Sequence, residues 1–165
     1  MTLISKAMNQ KINEQIANEL SASYSYLAMS CVLQGMELLG LAGWFRKQSE
    51  EEREHAMKFL GYLQDVGAVV QLRAIAEPKA KFDSVVAIAE AALEHEQKVT
   101  KQIHDLAALA REEKDYSTES FLKYFVDEQV EELASTSRLL ALTKMAGPNL
   151  LQLDGYIART LGKDD

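Results

Sequence analysis

Long stretches of this 165-residue chain contain neither proline nor glycine; the whole holds 2 prolines and 8 glycines. Along those stretches apolar residues recur at helical spacing. That combination leaves room for a few long helices and little else, because many short strands would need frequent turn residues. Four long segments follow from the period, at about residues 5–35, 41–68, 84–111 and 118–144. "QGMELLG" divides the first pair, with breaks at Gly35 and Gly40, and the second segment stops near "DVGA". Asp83-Ser84 offers a cap for the third segment, and Ser117 or Thr118 one for the fourth. After "AGPN" comes a short amphipathic piece, about 149–161, in which Leu150, Leu153, Ile157 and Leu161 form a stripe. That stripe is too narrow to stand alone in water, and predicts a helix that packs between subunits.

Link lengths set the topology. The first and last links are short, so each joins an antiparallel hairpin. The middle link, "VVQLRAIAEPKAKFDS", can run the length of a helix at ~3.3 Å per residue. The predicted fold is therefore all-α: an up-down-down-up four-helix bundle with one long crossover between helices two and three, plus a short fifth helix. With 47% hydrophobic residues, one domain over 1–165 can bury a sizeable core.

The charge balance narrows the partners. Eighteen basic against 25 acidic residues give a net charge of -7, with no basic arm for nucleic acid. An acidic balance suits a cation. The single Cys31 excludes an internal disulfide and a thiolate cluster. The start lacks an apolar signal core, and no apolar run approaches the ~20 residues that span a membrane. The expectation is a cytoplasmic protein with no membrane partner.

The stretch "QSEEEREHAMKF" raises the sharper question. A helix turns ~100° per residue, so with Glu52 as zero, Phe45, Phe59 and Leu63 fall within ~20° of it. Glu52 thus sits at the centre of the apolar face, with His55 ~60° to one side. Glu50 and Glu54 point away, and Glu51 lies at the edge. The other helices repeat the anomaly. Glu19 lies among Ile12, Ile16, Tyr26 and Leu27; Glu96 among Ala89, Ala92 and Ile103; Gln129 among Leu122, Phe125 and Thr136. Each falls near the middle of its helix, so antiparallel packing brings all four to one level.

A lone inward glutamate usually snorkels to water. Several at one level repel each other and are costly to bury unless a cation neutralises them. No Lys or Arg shares these faces at that level. Carboxylates with one imidazole suit iron or manganese, and zinc less selectively, and Glu-x-x-His offers both donors from adjacent turns. Tyr26 reads equally as a core tyrosine or a functional one. Met29, Met36 and Met57 read as filler, His95 and His104 as surface or boundary residues, and Glu112, Glu113 and Asp115 as a solvated turn.

The stretches "INEQIANELSASYSYLAMS", "WFRKQSEEEREHAMKFLGYL", "EHEQKVTKQIHDLA" and "FLKYFVDEQVEELA", in that order, carry a resemblance. The chain resembles the bacterial non-haem ferritins over nearly its full length. The resemblance implies a di-iron ferroxidase site on Glu19, Glu52, His55, Glu96 and Gln129, with Tyr26 close by. It implies a third iron position on Glu51, Glu128, Glu131 and Glu132. Helical directions put Glu132 near the core, Glu51 and Glu128 at the edge, and Glu131 further out. It also implies iron storage in a hollow shell of twenty-four copies, with Fe(II) oxidised by O₂ or H₂O₂. Bacterioferritins carry a second Glu-x-x-His on helix four and a haem-binding methionine after the bridging glutamate. Here those places read Gln129-Val130-Glu131-Glu132 and Arg53, so no haem is expected. Rubrerythrin-like peroxidases usually add a cysteine-rich iron domain, and one cysteine cannot supply it. The rival readings are a di-metal oxidase or peroxidase that stores nothing, and a plain acidic helical scaffold.

Overall fold

The computed structural model describes residues 2–160, which form α1 (Lys6–Gly35), α2 (Leu39–Asp65), α3 (Val85–Glu112), α4 (Tyr116–Ala146) and α5 (Leu150–Thr160). No strand occurs among the described residues. Three helices start on their own side-chain caps. Ser5 Oγ accepts from Met8 N–H at 3.0 Å, Ser84 Oγ from Ala87 N–H at 3.1 Å, and Asp115 Oδ1 from Thr118 N–H at 3.0 Å. The cap of α4 is therefore Asp115, not Ser117 or Thr118. Thr118 is buried instead, and its hydroxyl lies 2.5 Å from Asp115 Oδ2 and 2.7 Å from the Tyr62 hydroxyl.

Three helices also end alike. Leu38, Ala68 and Asp115 each donate back to the carbonyl five residues earlier, at 3.1, 2.8 and 2.8 Å. The left-handed residue in each turn is Glu37 (φ 60), Gly67 (φ 68) or Lys114 (φ 54). The first break is thus at Glu37, while Gly35 belongs to α1 and Gly40 to α2.

Gly40 serves close approach. An added Cβ there would sit 2.4 Å from the Asp154 carbonyl oxygen on α5. That closeness lets the Asp154 carboxylate cap α2 from another helix, accepting from Gly40 N–H at 3.0 Å and Leu41 N–H at 2.7 Å. Gly40→Ala must push α5 away and uncap α2. We expect a loss of about 1–3 kcal/mol, read as a lower thermal midpoint. An unchanged midpoint would mean α5 contributes nothing to the bundle.

The α5 stripe is seated on its own chain. Leu153 and Ile157 are buried against the start of α2, with Leu150 packed beside them; Leu161 lies outside the described residues. The expected packing of this stripe between subunits is therefore corrected. What α5 turns outward is Leu151 and Tyr156.

The crossover is latched to α1 as it leaves α2. Buried Asn13 donates to Val69 O at 2.9 Å and accepts from Gln71 N–H at 2.6 Å. It then passes Tyr24 and Leu27 near Pro78 and delivers α3 to the far end of α1. Hence α1 and α2 are antiparallel, α2 and α3 parallel, and α3 and α4 antiparallel.

The core has two parts. One apolar cluster gathers Tyr26, Leu33, Leu41, Phe45, Ile88 and Leu139; the other gathers Ile12, Ile16, Phe59, Leu63, Ile103 and Phe125. On every long helix the interval between the clusters holds the polar residues, Glu19, Glu52, His55, Glu96, Gln129 and Glu132. Crossed hydroxyls of Ser23 and Ser49, each accepted by the other's carbonyl at 2.7 Å, tie α1 to α2 at this level.

Candidate metal centre

Three helical turns converge between the apolar clusters. Glu19 from α1 and Glu52 and His55 from α2 are buried, and one donor atom from each lies within 4.8 Å of the others. The i, i+3 spacing of Glu52 and His55 sets Glu52 Oε2 3.9 Å from His55 Nδ1. That is too long for a hydrogen bond and suits two groups meeting a common third. Glu96 enters from α3, fully buried, and its Oε1 accepts the Tyr26 hydroxyl at 2.5 Å. Gln129 completes the layer from α4, its Oε1 2.7 Å from the Thr100 hydroxyl.

Four carboxylate oxygens here are buried without any hydrogen-bond partner: Glu19 Oε2, both oxygens of Glu52, and Glu96 Oε2. Buried acceptors are ordinarily satisfied, and a carboxylate accepts only. Burial accordingly raises every acid of the layer. Glu19 lies well above its usual range, by burial first and then by the Glu52 charge. Burial raises Glu52 to about 8, Glu96 to about 7 and Glu132 to about 8, with neighbouring carboxylates adding to each. At neutral pH these sites hold protons that a cation can displace. Divalent cations that accept oxygen and imidazole fit this donor set.

The second group of predicted residues divides. Glu51, Glu131 and Glu132 line one cavity of about 370 Å³ between α2 and α4, bounded also by Trp44 and Gln48. Glu132 is buried, Glu51 half-buried and Glu131 exposed, in the order the helical directions predict. Glu128 stands apart from that cavity wall, with Oε2 3.8 Å from His55 Nε2.

A family model, the ferritin-like domain, matches residues 9–146. The chain belongs to the ferritin family. A bacterial non-heme ferritin of Staphylococcus aureus is 39% identical over 132 residues, 80% of each protein. That of Staphylococcus haemolyticus is 35% identical over 130 residues, 79% of this ferritin and 78% of its relative. Among solved structures, an open-pore ferritin from the archaeon Archaeoglobus fulgidus superimposes with a TM-score of 0.93 at 38% identity, covering 96% of this chain and 99% of that one. A humanized archaeal ferritin gives 0.92 at 36%, covering 94% and 98%.

Several residues around the layer of this ferritin escape a reading by apolar period. Buried Gln15 donates to Glu19 Oε1 at 2.7 Å, and Thr100 orients Gln129. Both stand four residues from an inward acid, Gln15 before Glu19 and Thr100 after Glu96, so i, i+4 spacing on the same face is the signal that finds them. His95 is half-buried, at the boundary. Its ring meets Tyr26 edge-on at 5.7 Å, and its buried Nε2 has no partner. Burial, with the Lys98 charge, lowers it to about 4, so it is neutral at pH 7. His104 is exposed. No described helix is long and apolar enough to cross a membrane.

Proposed function

We infer that this ferritin stores iron and oxidises Fe(II) at the buried acid layer, with O₂ or H₂O₂ as oxidant. The observation that carries the reading is the set of buried, unpartnered carboxylate oxygens on Glu19, Glu52 and Glu96 beside His55. Ferrous ions are the substrate. Glu19 and His55 hold the first ion, Glu96 and Gln129 the second, and Glu52 has two free oxygens with which to bridge them. Carboxylates bind Fe(III) more tightly than Fe(II), so the site favours electron loss. The Tyr26 hydroxyl fixes one Glu96 oxygen and leaves the other for metal. Buried apolar residues above and below limit water access.

Glu51, Glu131 and Glu132 provide a third, oxygen-only position on the cavity side, and Glu128 stands beside His55. By the family resemblance, the subunit assembles into a hollow shell of twenty-four in the cytoplasm, where ferric product mineralises. Exposed Met57, Leu72, Val130 and Leu151 suit such an assembly. The whole reading is tested by anaerobic Fe(II) titration followed by O₂, with sizing of the same sample. A particle of 18.4 kDa that binds no iron would sink it, and a small particle that oxidises without storing would favour the oxidase reading. In the same titration Glu132→Gln should lower the Fe(II) bound per subunit by about one and slow later turnovers. Unchanged stoichiometry would mean the cavity acids only solvate.

A further inference from the structure

Trp44 is the single tryptophan of the chain, and it is 6% exposed. It lines the cavity that also holds Glu51, Glu131 and Glu132. Its ring meets Phe45 edge-on, with centroids 4.9 Å apart, and Phe45 meets Tyr26 at 5.9 Å. Tyr26 in turn donates its hydroxyl to Glu96. An unbroken series of aromatic contacts therefore runs from the acid layer to the cavity. Packing accounts for rings in contact. It does not account for the order, in which the two side chains that give up one electron readily, indole and phenol, stand at the two ends. The phenyl ring between them is redox-inert and serves as a bridge.

We propose that Trp44 is an electron relay, carrying the electron of a cavity-bound ferrous ion through Phe45 to Tyr26. The proposal rests on the ferroxidase reading above. Two ferrous ions give O₂ two electrons and stop at peroxide, and reduction to water takes two more with protons from solvent. Tyr26 supplies one electron, its proton passing to Glu96, and becomes a tyrosyl radical. Trp44 then reduces that radical while Glu96 returns the proton. A ferrous ion in the cavity reduces the indole radical cation and becomes ferric. Each passage oxidises one cavity Fe(II), delivers one electron and restores both aromatic residues, so two passages, with protons from solvent, take the peroxide to water.

The test uses the full-length assembled protein, given two Fe(II) per subunit, then O₂, then further Fe(II), with freeze-quench electron paramagnetic resonance. In Trp44→Phe the tyrosyl radical should decay several-fold more slowly after the further Fe(II). Trp44→Tyr, which keeps a redox-active ring, should restore the wild-type decay. Equal decay in wild type and Trp44→Phe overturns the relay, and so does a Trp44→Tyr protein that behaves as Trp44→Phe. A second measurement needs no variant. Wild type oxidised with only two Fe(II) per subunit should lose indole fluorescence and carry added oxygen on Trp44 by mass spectrometry, whereas an intact Trp44 contradicts the relay. A wild type without the initial two-iron oxidation points instead to failure of the ferroxidase reading, and the relay falls with it.

Discussion

Glu52→Ala should abolish the fast phase of Fe(II) oxidation. Both oxygens of Glu52 lack any protein partner, so both are free to serve the two ions, and alanine removes a donor from each at once. The rate should fall by more than the roughly 10–100-fold that loss of an outer-shell partner costs. Stopped-flow absorbance after anaerobic loading measures it. Glu50→Ala and Glu54→Ala are the controls, because those carboxylates are exposed on the opposite face of α2. A Glu52→Ala protein that still oxidises iron at the wild-type rate would remove Glu52 from the site.

The metal-free protein should lose stability as pH rises from about 5 to about 8, and Glu52→Gln should flatten that slope. In the unfolded chain a glutamate ionises near ~4.3. Folded, Glu52 keeps its proton to about 8, because burial penalises the charged form. Between those values the folded state binds more protons than the unfolded, so raising the pH favours unfolding. At pH 7 the removed penalty is on the order of 3 kcal/mol, seen as a higher melting temperature of metal-free Glu52→Gln. The gain should vanish near pH 4, where both states hold the proton. Adding Fe(II) should reverse the order, since only the wild type keeps the Glu52 carboxylate to bind it. A wild type whose metal-free stability is level across this range would show that the acid layer is hydrated and ordinary.

Much of the site could be read from the sequence because a helix converts position into direction. Glu19, Glu52, Glu96 and Gln129 each stand at the centre of an apolar face, and each is buried where its helix crosses the layer. Directions do not name partners, however. They place Glu128 and Glu51 alike at an edge, while packing sends Glu51 to the cavity and Glu128 to His55. Contacts between remote segments were silent. Asp154 caps α2 across more than a hundred residues, and Asn13 latches the crossover from fifty-six away. Turn chemistry misled at α1 because Glu37 takes the left-handed position that glycine usually fills. The α4 cap is hidden because Asp115 continues an acidic run with Glu112 and Glu113 that reads as a solvated turn.

The divided core has a mechanical consequence. Two short apolar blocks are stacked end to end, and the plane between them holds buried carboxyl groups with unpartnered oxygens where a continuous core would hold packing. Without cations this plane is the cross-section at which the bundle yields first, since local opening follows the lowest density of apolar contact. On the proposed reading, cations held by Glu19, Glu52, His55, Glu96 and Gln129 would make it a clamp across all four helices. Loading the substrate therefore stiffens the container, and emptying it returns a seam to the middle of every subunit.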